Sequence, residues 1–95
     1  MIDCATKARD AWDKELNTYY KLLLPILSPD EKEKLRTAQR NWLAYRDSEL
    51  TFYGTMYGNM QGTMWRVAAA ERSVEIVRQR ALELRTYYEI LTEEK

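Results

Sequence analysis

The 95-residue sequence contains no histidine and one cysteine, Cys4. Zinc sites are built from clusters of cysteine and histidine, and no such cluster can be assembled from these residues. Catalysis by a Ser/His/Asp or Cys/His arrangement needs a histidine, so it is excluded within this chain as well. A site made of carboxylates alone stays open, but no spacing of Asp and Glu demands one. We therefore expect no catalytic, metal-binding or cofactor-binding residues and a protein that is not an enzyme.

An excess of one charge is also missing, because 15 lysines and arginines balance 15 aspartates and glutamates. The two signs are mixed along the chain, so electrostatics give no reason to expect nucleic acid or an anionic membrane as a partner. The longest apolar run, residues 22–27, is interrupted by a proline and is far shorter than the ~20 residues of a membrane span. The sequence predicts a single domain, residues 1–95, that is not an integral membrane protein.

Glycine and proline are scarce, with three and two residues, and they mark two breaks in the pattern. Between the breaks, apolar residues recur at spacings of three and four, and no strand-like alternation occurs. The sequence predicts an all-α fold, an elongated antiparallel bundle of three long helices. The expected helices cover about residues 3–24, 29–56 and 63–91.

The first break carries a clear signal for a helix start. Ser28 is an N-cap candidate, Pro29 suits the first helical position, and Glu31 has the spacing of a capping box. Pro25 disfavours a helical conformation in the residue before it, so it either ends or kinks the first helix.

Each expected helix carries an apolar stripe that should form the core. The positions are Ala5, Ala8, Trp12, Leu16, Tyr19, Tyr20 and Leu23, then Leu35, Ala38, Trp42, Tyr45, Phe52 and Met56, then Val67, Ala70, Val74, Val77, Ala81, Leu84, Tyr88 and Leu91. Aromatic residues are numerous, with seven tyrosines and three tryptophans. They either thicken the core or form an exposed patch that pairs with another chain. The residues considered for the patch are Phe52, Tyr53, Met56 and Tyr87.

Polar side chains flank the stripes where the helices should meet. They are Asp13, Asn17, Gln39, Arg46, Asp47, Arg80 and Glu83. Guanidinium and carboxylate groups pair in a bidentate way, and amides satisfy leftover donors and acceptors. The set either clamps the helices in register or forms a polar pocket for a small ligand. We expect the clamp, with Gln39 and Arg46 pointing inward and Asp47 extending the network.

Three segments of the chain resemble one known family. They are DKELNTYYKLL (residues 13–23), LSPDEKEKLRTAQRNWLAYRDSE (residues 27–49) and RQRALELR (residues 78–85). They are similar to the LprI-type lysozyme-inhibitor domain of bacteria, whose pattern is roughly D-x-x-L-N-x-x-Y, L-x-x-A-Q-R-x-W-x-x-[YF]-R-D and T-x-x-R-x-x-E-L. The matching residues are Asp13, Leu16, Asn17, Tyr20, Leu35, Ala38, Gln39, Arg40, Trp42, Tyr45, Arg46, Asp47, Arg80, Glu83 and Leu84.

Two departures from the family pattern change what the resemblance implies. Val77 stands where the third block has threonine, and Leu50 stands where many members have a cysteine. The third helix has no cysteine either, so the disulfide that the family suggests between helices two and three cannot form. Packing alone should hold these two helices together.

The resemblance implies a secreted or periplasmic protein, although no signal peptide is recognisable at Met1. Cys4 would then face an oxidising compartment without a partner in its own chain. A buried thiol, an exposed reactive thiol and an intermolecular disulfide are the alternatives for Cys4.

The resemblance leaves two functions open. The first is inhibition of lysozyme-type muramidases, whose clefts use two carboxylates. The loop Tyr57, Gly58, Asn59, Met60 and Gln61 would bind lysozyme as the protein partner, or it is an ordinary connection between helices. The second is a non-catalytic binding or assembly module of the cell envelope. It would act through an aromatic helix face, with a homodimer as one form.

Overall fold

Three long helices make up nearly all of the protein. The computed structural model describes the backbone of residues 2–60, 62 and 64–93, and the side chains from residue 5 onward in those ranges. The helices are α1 (Ile2–Leu23), α2 (Pro29–Gly58) and α3 (Met64–Glu93). The molecule measures 53 × 22 × 16 Å along its principal axes. The predicted all-α, elongated three-helix architecture is confirmed.

The connection between α1 and α2 follows the predicted signals. Pro25 ends α1 rather than kinking it, because the helix stops at Leu23 and a 3₁₀ turn, Leu24–Ile26, follows. The Ser28 hydroxyl accepts a hydrogen bond from the Glu31 N–H at 3.2 Å, and the Glu31 carboxylate accepts one from the Ser28 N–H at 2.8 Å. These two bonds form the expected capping box at the start of α2.

The main core lies between α1 and α3. Its buried residues are Leu16 and Leu23 of α1 and Ile76, Val77, Ala81 and Leu84 of α3. Two contacts along this interface give the directions of the helices. The Cζ atom of Arg78 lies 5.8 Å from the centre of the Trp12 ring. Further along both helices, the ring centres of Tyr19 and Tyr88 are 5.9 Å apart. Because the contacts advance in the same order on both helices, α1 and α3 are parallel.

The second helix runs antiparallel to α3 and rests on it over a smaller area. Gln39 contacts Arg80 at one end, and the hydroxyl of Tyr53 accepts a hydrogen bond from Arg72 Nε at 2.9 Å at the other. Because the charged guanidinium donates this hydrogen bond to the Tyr53 hydroxyl, the pKa of Arg72 is raised above its ordinary value. Among the described residues, the backbone of α2 lies close to that of α3 and mostly away from that of α1. The α2 side chains that nevertheless pack against the core formed by α1 and α3 are Leu35, Trp42 and Leu50.

The expected core stripe of α2 is wrong at Ala38, Tyr45 and Phe52, which are exposed. The buried side chains of α2 are Gln39 and Tyr53, each one position further along the chain. Arg46, seven residues from each of them, is half-buried. A shift of one residue turns the buried line by about 100° around a helix. Leu35 and Trp42 of the expected stripe are partly buried against the core, whereas the fully buried line of α2 is narrow and faces α3.

Candidate functional site

A buried hydrogen bond links α2 to α3. Arg80 Nε donates to Gln39 Oε1 at 3.0 Å, and Arg80 Nη1 donates to Glu83 Oε1 at 3.1 Å. Arginine has donors only, so Gln39 must turn its oxygen toward Arg80. The orientation of the Gln39 amide is therefore fixed by its partner.

Arg46 does not take the role that the sequence suggested. Its Nε and Nη2 donate to Asp47 Oδ1 at 3.1 and 3.0 Å, and its Cζ lies 5.5 Å from the centre of the Trp42 ring. All three residues belong to α2. The prediction that Arg46 ties α2 to another helix is wrong, because Arg80 makes that hydrogen bond and Arg46 covers Trp42 instead.

An open groove separates α1 from α2. It has a volume of about 440 Å³. Its lining residues are Asp13, Leu16, Asn17 and Tyr20 of α1 and Glu33, Arg36, Gln39, Arg40, Trp42 and Leu43 of α2. The groove exists because α2 packs on α3 and stands away from α1. Three of the predicted polar residues, Asp13, Asn17 and Gln39, line this groove. Arg80 and Glu83 are not among the lining residues.

The charged side chains of the groove balance each other. Arg36 pairs with Glu33 at 3.3 Å. Asp13 and Arg40 have no ion-pair partner within the described ranges. The groove thus presents one free carboxylate from α1 and one free guanidinium from α2.

The second feature is the tip formed where α2 meets α3. Tyr57 and Gly58 end α2 rather than lying in a loop. The Asn59 N–H donates to Thr55 O at 3.2 Å, and the Met60 N–H donates to Tyr57 O at 3.1 Å. Gln61 and Thr63 lie outside the described residues. Gly62 has φ +107°, a conformation that glycine adopts without penalty.

Two aromatic rings, one from each helix, stack on each other next to this tip. Tyr57 and Trp65 stack with their centroids 5.8 Å apart and their planes 16° from parallel. Beside them is a shallow cavity of about 650 Å³. It is lined by Gly54, Tyr57, Gly58, Met60, Gly62, Trp65, Arg66, Ala69 and Ala70. The glycine and alanine residues leave room for a side chain of another molecule.

Sequence reasoning missed the α3 side of the tip. Met64 is 75% exposed, Met60 is 42% exposed, and Arg66 is exposed without an ion-pair partner in the described part of the chain. The interpretation of the loop stopped at residue 63. The signal was present, since aromatic residues on both sides of a short connection between antiparallel helices face each other. Tyr57 and Trp65 are such a pair.

Three further expectations concern other parts of the chain. The side chain of Cys4 lies outside the described residues, so its three alternatives stay predictions. Across residues 2–60, 62 and 64–93, no group of three or more Cys, Asp and Glu is arranged to hold a metal ion. None of the helices in those ranges combines the length and apolar character needed to span a bilayer.

These features define a small helical protein with a polar groove between α1 and α2 and an exposed tip where α2 meets α3. The sequence profile of the family described as Lysozyme inhibitor LprI matches residues 1–84, and the chain belongs to this family. The match includes both the groove and the tip, and it confirms the resemblance found in the three sequence segments. No curated protein and no solved structure matches the chain. A family of inhibitors is compatible with a chain that is not an enzyme.

Proposed function

We propose that this protein inhibits lysozyme-type muramidases by binding the enzyme. The observation that carries the proposal is the match to the LprI family over residues 1–84. Muramidases act on the cell wall, so the inhibitor would work in the periplasm or outside the cell. The absence of net charge means that long-range steering contributes little, and short-range contacts would supply the affinity.

The contact surface in this proposal is the tip between α2 and α3. Met60 and Met64 place exposed apolar side chains there, and methionine adapts to irregular surfaces. The stacked rings of Tyr57 and Trp65 join the end of α2 to the start of α3, and such a contact would lower the entropy cost of ordering these two helix ends on binding. The narrow cross-section of the molecule, 22 × 16 Å, suits an element that enters a cleft.

Arg66 would supply the polar part of the contact. Glycan-cleaving clefts carry a pair of carboxylates. A free guanidinium binds a carboxylate through two parallel hydrogen bonds. Arg66 is exposed beside the tip cavity and is not engaged in an ion pair within the described residues. Asn59 adds a neutral amide donor at the same end of the molecule.

The test is a lysis assay in which the protein is titrated against lysozymes of several structural types. We expect stoichiometric inhibition of at least one type. Arg66→Ala and Met64→Ala should each weaken it by roughly tenfold or more, as hot-spot residues do. Arg85→Ala is the matched control, because Arg85 pairs with Glu89 at 3.5 Å near the far end of α3.

Two results would contradict this proposal at different levels. Absence of inhibition at micromolar wild-type protein would reject the inhibitor function. Inhibition that is equally strong in wild type, Arg66→Ala, Met64→Ala and Asn59→Ala would keep the function and reject the tip as its surface.

A second proposal is a cell-envelope assembly module that acts through an aromatic face of α2. Tyr53 cannot belong to this face, because it is buried against Arg72. Tyr45 and Phe52 are 50% and 56% exposed and lie seven residues apart on one side of the helix. Sedimentation velocity is the test: a dimer lost in Phe52→Ser would support this function, and a monomer at high concentration would reject it.

A further inference from the structure

We propose that the groove between α1 and α2 is a binding site for a short, neutral oligosaccharide that carries acetamido groups. This inference goes beyond the proposed inhibition of lysozyme and does not depend on it. It concerns a different surface, built by residues of α1 and the first half of α2. It names a ligand of a different chemical class from a protein partner.

The first argument is the amide of Gln39. This side chain is 8% exposed and lines the groove. Its oxygen is held by Arg80 Nε, so its Nε2 donors are directed away from that bond. Within the described ranges Nε2 has no hydrogen-bond partner, and none of the side-chain nitrogens and oxygens there is both buried and unsatisfied. Nε2 is therefore an oriented donor that solvent or a ligand can reach.

The second argument is the pair of aromatic rings in the groove. Tyr20 lies on the α1 wall and Trp42 on the α2 wall, and both are half-buried. Arg46 packs over one face of Trp42 and is itself held by Asp47, so a ligand in the groove would use the other face or the edge of the ring. Sugar rings present flat C–H surfaces that pack on aromatic faces. Small-molecule sites typically combine such apolar walls with a few placed polar groups in about 300–1,000 Å³.

The third argument is the polar composition of the groove. It offers carboxylate, amide and guanidinium groups whose formal charges cancel, since Asp13 and Glu33 balance Arg36 and Arg40. A neutral ligand with many hydroxyls fits this balance better than an ion of either sign. An acetamido group adds a carbonyl oxygen for the Gln39 donors and an N–H for the Asp13 carboxylate. Asn17 can both donate and accept.

A peptide is the competing ligand, because it presents the same C=O and N–H groups. Peptides are bound in an extended form at a sheet edge, as a helix in an apolar groove, or as a proline-rich segment in an aromatic-lined groove. A proline-rich segment has no N–H at its prolines to donate to the Asp13 carboxylate. The described residues form no strand, and the groove has charged and amide groups along both walls. The oligosaccharide is therefore the better match.

The experiment follows the three tryptophan indole N–H signals by NMR during titration with β-1,4-linked N-acetylglucosamine trisaccharide. We expect saturable shifts of the Trp42 signal at millimolar ligand. The Trp12 and Trp65 signals are internal references, because neither residue lines the groove. Asn17→Ala removes one exposed hydrogen-bonding group without touching the core, and it should weaken binding by roughly fivefold.

Asn41→Ala is the matched control, since Asn41 is an exposed amide of α2 outside the groove. Binding unchanged in this variant and weakened in Asn17→Ala would support the site. The proposed site would be overturned if the Trp42 signal did not shift at the highest trisaccharide concentration that dissolves. It would also be overturned if only a capped alanine tripeptide, and not the trisaccharide, produced shifts. The titration contains no lysozyme, so its failure is distinguishable from failure of the inhibition assay.

Discussion

Arg80 and Gln39 join α3 to α2 through a hydrogen bond of 3.0 Å, and each residue is only 8% exposed. The two positions are far apart in the sequence, yet each has its polar group placed for the other. The bond ties α2 to α3 at a residue that also lines the groove between α1 and α2. It therefore couples the stability of α2 to the orientation of a groove-lining amide.

Removing the Arg80 side chain should clearly destabilise the folded protein. We expect Arg80→Ala to lower the free energy of unfolding by about 1–3 kcal/mol, because the buried Gln39 oxygen loses its donor. Arg46→Ala should cost less, about 1 kcal/mol, because its pair with Asp47 and its packing on Trp42 both lie within α2 and no buried polar atom loses its partner. Urea denaturation of both variants measures the difference. Equal losses in the two variants would contradict this assignment of the interhelical contact.

The core between α1 and α3 gives a second prediction. Leu84 is completely buried, so Leu84→Ala should lower the free energy of unfolding by about 2–5 kcal/mol through the cavity it leaves. Leu43 is 38% exposed on α2, and Leu43→Ala should cost roughly 1 kcal/mol or less. Thermal denaturation of the two variants compares these two losses of stability directly. A larger effect at Leu43 would mean that α2 contributes more to the core than this packing allows.

Two glycines should respond in opposite ways to alanine. Gly54 lies inside α2 with open space around its Cβ position, so Gly54→Ala should stabilise the protein by about 0.5–1 kcal/mol. Gly62 also has open space, but its φ of +107° is unfavourable for alanine, and Gly62→Ala should cost about 1–2 kcal/mol. Denaturant unfolding gives both values. A stabilising Gly62→Ala would show that this backbone conformation is not required.

The capping box predicts a dependence on pH. The hydrogen bond from the Ser28 backbone N–H, together with that from the Ser28 side chain, lowers the pKa of Glu31 in the folded protein. A lowered folded pKa means that the contribution is complete above the unfolded pKa and is lost as pH falls through the folded value. The free energy of unfolding, measured as a function of pH, should therefore fall less below about pH 4.3 in Glu31→Gln than in wild type.

Ser28→Ala is the control for that titration. It removes the hydroxyl but leaves the backbone N–H, which is the larger cause of the lowered pKa. Most of the acid dependence should therefore persist in Ser28→Ala, while its stability at neutral pH falls by about 1 kcal/mol. Identical acid profiles for Glu31→Gln and wild type would contradict the role of the carboxylate.

The sequence was sufficient to predict the helices, because their ends depend on local chemistry. Ser28, Pro29 and Glu31 mark the start of α2, and Pro25 marks the end of α1. The buried line of α2 could not be found in this way. Apolar side chains at Ala38 and Tyr45 indicated one face, but the helix buries the next position along, which is polar at Gln39. Which face is buried depends on how many neighbours a helix has.

The candidate site was predictable in its members but not in its arrangement. Asp13, Asn17 and Gln39 were expected near one another, and they do share the groove. The distance between α1 and α2 decides whether such residues bond directly or line a cavity. That distance follows from the packing of both helices on α3, which no local pattern encodes. The exposed position of Arg66 beside the tip cavity was missed for a similar reason, since it depends on how α2 and α3 pair.

The position of α2 in the chain also bears on how the protein folds. The core forms between α1 and α3, which are separated in the sequence by the whole of α2. The main apolar contacts therefore form only when a loop that contains all of α2 is closed. Closing such a long loop has an entropy cost that local helix pairing avoids. Proteins whose contacts are distant in sequence fold more slowly than bundles of sequential neighbours. We therefore expect this small helical protein to fold more slowly than its size suggests.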